Sequence, residues 1–227
     1  MSYLKGNWQL IAITALMVAL WATPVILPLK ILVVFFHELS HGIAAILTGG
    51  EIVALSVTPD QGGVAHTRGG SRFMILTAGY LGSLLCGILL LLAGLKSGAD
   101  RAIVAVLGLV VLLITALYMR DLFPVIFGAS TGALMLAMAR FLPNAVNDLA
   151  LRVIGLTSMI YVPRDIFSDT IERAHLRSDA FMLGELVGGG AQLWGGIWLI
   201  ISIVVLGVCL RYGLGTNSNI TFRHSKP

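Results

Sequence analysis

Residues 37–41 read His-Glu-Leu-Ser-His, an H-E-x-x-H pattern inside the otherwise apolar run ILVVFFHELSHGIAAILTGG. On a helix, positions i and i+4 point the same way one turn apart, so His37 and His41 can hold one metal ion together, with Glu38 beside the first of them. The residue types suit hydrolysis. Neutral imidazoles bind Zn2+ without cancelling its charge, and zinc lowers the pKa of a bound water to about 7. Glu38 can take that water's proton and pass it to a leaving amine. An ionisable side chain deep in an apolar helix costs about 2.5–3.5 kcal/mol on insertion scales. Three polar groups in five residues therefore need a partner, and one metal partners both histidines. Two other readings of the same residues stand beside this one: histidines satisfied by neighbouring helices, and a metal site without catalysis.

A catalytic zinc site takes three protein ligands and keeps one position open, so a distant carboxylate is required. The segment YVPRDIFSDT places Asp165 and Asp169 four apart, on one helical face just after a boundary marked by Pro163. Asp165 is favoured, then Asp169. Asp179, in RSDAF, is third, because Ser178-Asp179 ahead of an apolar helix reads equally well as a helix cap. Asp148, following Pro143-Asn144, also reads as a cap, and Asp121 beside Arg120 as an interfacial ion pair. His66 and His175 lie in polar segments and read as solvated. Tyr161 and Arg164 are candidates to steady a tetrahedral oxyanion, a role zinc can share.

The elements that must position these groups are helices in a membrane. Of 227 residues, 57% are hydrophobic and only 11% charged, against about 25% charged in a soluble domain. No charge occurs in 6–29, 73–95, 102–119, 122–139 or 186–210, and a span needs about 20 apolar residues. Lys5, Lys30, Lys96, Arg101, Arg120, Arg140 and Arg211 flank apolar runs and read as headgroup anchors, so the net charge of +4 does not imply a nucleic-acid partner. Cys86 and Cys209 fall inside apolar runs, where a thiol packs as a small hydrophobe.

The first span is expected over 8–29, the metal-binding helix after Lys30, and further spans at 73–95, 101–119, 122–142 and 193–212, with 146–163 as a tilted or cavity-lining helix. Between Gly50 and Gly69 the texture changes. EIVALSV and VAHTR flank the turn chemistry TPDQGG, which predicts a β-hairpin over 51–68. An open sheet edge does not face lipid, so the hairpin must lie at the interface or line a cavity, where it could pair with an extended peptide. The expectation is an all-α polytopic protein of six to seven transmembrane helices with a small β-hairpin insert, one membrane domain over 1–212 and a polar, disordered tail over 213–227.

The FFHELSHGIAAILTGG segment, the β-type insert, the helix start GGSRFMILTAGYLGS and the late acidic stretch together resemble the M50 family of membrane zinc metallopeptidases, in its M50B-like, site-2-protease-related branch. The resemblance runs from about Lys30 to Trp198, and HELSH is its specific motif. It implies an integral protein of the plasma membrane that uses Zn2+ to cleave a peptide bond in or near a transmembrane segment of a protein substrate, with His37 and His41 as ligands and Glu38 as the base. The distal Leu-Asp-Gly that carries the third ligand in better-known members is absent, which leaves Asp165, Asp169 and Asp179 open. A non-catalytic membrane metal-binding, transport or scaffold protein and a zinc hydrolase acting on a lipid amide remain the alternatives. The bilayer is a partner in every case.

Overall fold

The structure, a computed structural model, describes residues 3–220. After a short turn of helix, α1 (Tyr3–Gly6), come α2 (Trp8–Ala19), α3 (Leu27–Leu47), β1 (Glu51–Val57), β2 (Gly63–Arg68), α4 (Arg72–Lys96), α5 (Asp100–Tyr118), α6 (Leu122–Phe141), α7 (Asn144–Phe167), a π-turn (Ser168–Glu172), α8 (Asp179–Val187) and α9 (Gly190–Gly213). Among the described residues six helices are long and apolar enough to cross a membrane: α3, α4, α5, α6, α7 with its π-turn, and α9. The shortest has 19 residues and extends about 28 Å, close to the ~30 Å hydrocarbon core.

The apolar run 8–29 does not form the expected span. Its helix α2 has 12 residues and reaches only about 18 Å. Pro24 has no N–H to donate and disfavours a helical conformation at Thr23, so the chain turns before α3 begins. Lys30, expected to anchor at headgroups, instead donates to the Trp21 carbonyl at 2.8 Å and lies over the Trp21 ring. Pro28 is tolerated in the first turn of α3, where its missing N–H is an orphan in any case.

The central pair is α4 and α7, with α3 against α4 and α9 across α7. Ser158 donates to the Ser83 carbonyl at 2.7 Å, joining α7 to α4 inside the bundle. The helices α5 and α6 form an αα-hairpin on the flank and present most of their surface outward. The helix α7 is the most enclosed, which explains its modest apolarity: it lines the interior and faces little lipid. It runs through Pro163, where the sequence marked a boundary, for another turn before the π-turn. Packing on several sides holds a helix together across one lost hydrogen bond.

At the other end of α7, Asp148 is not a cap. It forms a buried ion pair with Arg152, whose guanidinium also donates to the Gly94 and Ser218 carbonyls. Asp121 accepts from the Ser56 hydroxyl at 2.9 Å, while Arg120 donates to main-chain carbonyls of its own helix end. Residues 214–220, part of the tail that composition alone leaves free, are held against α1 and α2: Ser218 N donates to the Gly6 carbonyl and Ile220 N to Gln9 Oε1. Residues 221–227 lie outside the described residues.

The hairpin is antiparallel, with Ile52 opposite Thr67, Leu55 opposite Ala65 and Val57 opposite Gly63, and with a bulge between Ile52 and Ala54. The bulge restores the inward alternation, so that Ile52, Leu55 and Val57 are buried and Val53 is exposed. Ile52 reaches Gly42 of α3, where a side chain would collide with its Cδ1. At the hairpin's foot the entering and leaving chains cross at Gly50 and Gly69, and a Cβ on Gly50 would sit 2.7 Å from the Gly69 carbonyl. Glycine is required there by close approach.

Candidate metal centre

The helix α3 carries His37, Glu38 and His41 into the base of a cavity of about 660 Å³. One wall is the β2 strand, through Gly63, Val64, Ala65 and Thr67. Another is α4, with Ile75, Leu76 and Tyr80, and a third is the end of α7 with the segment leading into α8. The hairpin therefore lines a protein cavity, with β2 bordering it by the edge not paired to β1.

His37 Nε2 lies 2.9 Å and His41 Nε2 3.2 Å from the same oxygen, Asp179 Oδ2. Among the described residues, His37, His41 and Asp179 form a group whose ligand atoms all lie within 4.8 Å of one another. His41 Nδ1 is 2.7 Å from the Ile75 carbonyl, which can only accept, so the proton sits on Nδ1 and the Nε2 lone pair points at the carboxylate. A lone pair facing a carboxylate oxygen in a buried site is unfavourable unless a proton or a metal ion lies between them. Two imidazole nitrogens and one carboxylate, with open cavity beside them, fit the donor set of a hydrolytic zinc site.

The sequence offered three aspartates, and the structure brings Asp179 to the histidines. It is the first residue of α8, but the capping falls to Ser178, whose hydroxyl accepts from Phe181 N, and this leaves the Asp179 carboxylate free to face the cavity. Asp165 and Asp169 line the same cavity outside that group. Asp169 accepts from the Tyr80 hydroxyl at 2.6 Å with one oxygen and from Arg173 at 2.7 Å with the other. Asp165 lies 3.9 Å from Arg173. His66 and His175 are exposed. Tyr161 and Arg164 line an adjoining cavity of about 530 Å³, beside Trp21.

Four contributors were not singled out for this role by the sequence. Gly79 of α4 lies against both imidazoles, where a Cβ would collide with each ring. Tyr80 places its ring against His37, centroids 4.7 Å apart at 83°. Gly63 of β2 lies against the buried Glu38 carboxyl, which a Cβ would displace. Arg173 ties Asp165 and Asp169 to the loop after the π-turn. The only local signal is the run of glycines around 63 and 79, which does not say what approaches them.

A family model described as Peptidase M50B-like matches residues 10–209. Neither the curated proteins nor the solved structures contain a match to the chain.

Proposed function

The chain belongs to the M50B-like peptidase family, and from that premise we propose that it is a zinc-dependent endopeptidase cleaving a peptide bond in or near a membrane-spanning segment of another protein. The observation that carries this reading is the convergence of His37 Nε2 and His41 Nε2 on Asp179 Oδ2, with His41 Nδ1 committed to the Ile75 carbonyl. His37, His41 and Asp179 hold the metal, and Ile75 fixes the tautomer in which His41 can bind it. Zinc, when bound, supplies the Lewis acidity that makes water nucleophilic near neutral pH and polarises the scissile carbonyl.

Glu38 is buried beside the first histidine and lines the same cavity. It receives the proton from the attacking water and returns it to the leaving amine. A substrate helix hides its carbonyls in its own hydrogen bonds, so the cleaved segment must be extended. The outer edge of β2 supports that step. It runs along the cavity from Gly63, beside Glu38, to Thr67, and offers main-chain partners to an added strand.

The test uses purified full-length protein, with zinc content and cleavage of a membrane-embedded polypeptide measured on the same samples. Glu38→Gln retains zinc and loses turnover by about 10²–10⁴-fold, whereas His37→Ala loses zinc and Asp179→Ala keeps only a weakened affinity from the two histidines. Full zinc occupancy in His37→Ala would overturn the proposal.

A further inference from the structure

Asp165 and Asp169 stand in the cavity wall, and the hydrolytic reading gives them no part. The connections of Asp169 supply one for it. Tyr80 is 2% exposed and spends its single hydroxyl proton on Asp169 Oδ2, while its ring packs edge-to-face with that of His37. Asp169 Oδ1 accepts from Arg173 Nη2, and Arg173 Nε donates to the Ser168 hydroxyl. Arg173 closes the π-turn, its N–H reaching back to the Ser168 carbonyl at 2.8 Å, and opens the loop that ends at Asp179. Both carboxylate oxygens of Asp169 are thus used, each in a charge-assisted bond. The chain of contacts runs from α3 through α4 and the π-turn to the residue six positions before Asp179.

We propose that Tyr80, Asp169 and Arg173 form an anchor that positions Asp179 against His37 and His41, which makes these three positioning residues of the metal centre. The proposal rests on the reading of Asp179 as a metal ligand. The body of α8 is held by α4 and α9, so the anchor governs its first turn and the loop before it. The loop's own main-chain bonds, Leu176 N to the Arg173 carbonyl and Ser178 N to the Leu176 carbonyl, both trace back to Arg173 and do not tie it to the bundle. Arg173 itself is joined to the π-turn twice, by its N–H to the Ser168 carbonyl and by its side chain to Ser168 and Asp169, and Arg177 pairs with Glu185 of α8 at 3.5 Å. Tyr80 contributes at both ends, because the same side chain that fixes Asp169 also stops the His37 ring from rotating out of line. Outer partners of this kind commonly change metal affinity by about 10–100-fold.

The experiment measures zinc affinity of the full chain in detergent by competition with a chromogenic chelator, alongside unfolding of the metal-free proteins. Asp169→Asn and Arg173→Gln are expected to weaken zinc binding by about 10–100-fold, and Tyr80→Phe by less, since the ring contact with His37 survives. Arg173→Lys recovers part of the loss because the charge is kept. Metal-free unfolding matched to the wild type separates the effect from a loss of fold. In an Asp179→Ala background the same substitutions produce no further weakening, because the anchor acts through that residue. Wild-type affinity in both Asp169→Asn and Arg173→Gln overturns the anchor, as does equal weakening with and without Asp179. Unchanged affinity in Asp179→Ala alone overturns the ligand reading and the anchor with it.

Discussion

Gly79→Ala tests the metal centre with a single methyl group. The Cβ it introduces falls 2.6 Å from Cε1 of His37 and 2.6 Å from Cε1 of His41, where ordinary contact begins near 3.4 Å. The His41 ring must therefore retreat by about 0.8 Å and the His37 ring, whose Nε2 lies closer still, by more, whereas zinc–nitrogen bonds near 2.0–2.1 Å tolerate departures of only about 0.2 Å. The rings have little room to move. His41 is held to the Ile75 carbonyl and His37 is packed by Tyr80. Overpacking of this size costs about 1–3 kcal/mol, and if the cost falls on the metal-bound arrangement it weakens zinc binding about 5–150-fold. Alanine also favours an interior helical position over glycine by up to about 1 kcal/mol, which offsets part of the overpacking in the metal-free protein. The assay is chelator competition together with thermal unfolding in the presence and absence of zinc. A lower affinity and a smaller zinc-induced stabilisation are expected. Wild-type zinc affinity and turnover in Gly79→Ala would refute the placement of the two imidazoles.

Gly63→Ala drives a Cβ to 2.7 Å from Glu38 Cγ, so kcat should fall about 10²-fold, as misplacement of a reacting group by an ångström can do, while zinc content stays at the wild-type level. Unchanged kcat would show that the carboxyl does not need its present position. Proline at Ala65 or Thr67 removes an N–H from β2, and prolines along both hairpin strands should lower cleavage more than they lower metal content; equal losses of both would remove the strand-addition step. Arg152→Ala leaves Asp148 buried without its cation and two carbonyls without a donor, which should cost about 3–5 kcal/mol of stability. Thermal unfolding in detergent reads this directly, and an unshifted midpoint would contradict the account of that cluster.

The spacing of His37, Glu38 and His41 was legible because it is local: a helix repeats every 3.6 residues wherever it sits. The hairpin was legible for the same reason, since Gly50, the TPDQGG turn and Gly69 dictate a reversal within a few residues. The run 8–29 misled because the absence of charge counts apolar residues without registering a broken backbone. Pro24 divides that run, and the Lys30 side chain turns back to the carbonyl freed beside the break. Asp148 misled in another way. Its neighbours fitted a helix start, while Arg152 one turn later supplied a buried partner that the same i, i+4 geometry would have allowed.

Composition and periodicity determined a helical membrane protein with two histidines and a glutamate on one apolar helix. The identity of their distant partner required the tertiary structure. Asp179 meets His37 across 142 positions of chain, and Tyr80 meets Asp169 across 89. Asp165, Asp169 and Asp179 have the same side chain and lie within fifteen residues of one another, and the local pattern ranked Asp165 first and Asp179 last because it carries no information on which carboxylate the packed bundle turns toward the histidines. Their positions follow from how α4, α7, α8 and α9 pack, how the π-turn redirects the chain, and which carboxylate already has its oxygens engaged. Helical periodicity is a property of a few neighbouring residues, but the convergence of one carboxylate on two imidazoles is a property of the whole packed bundle.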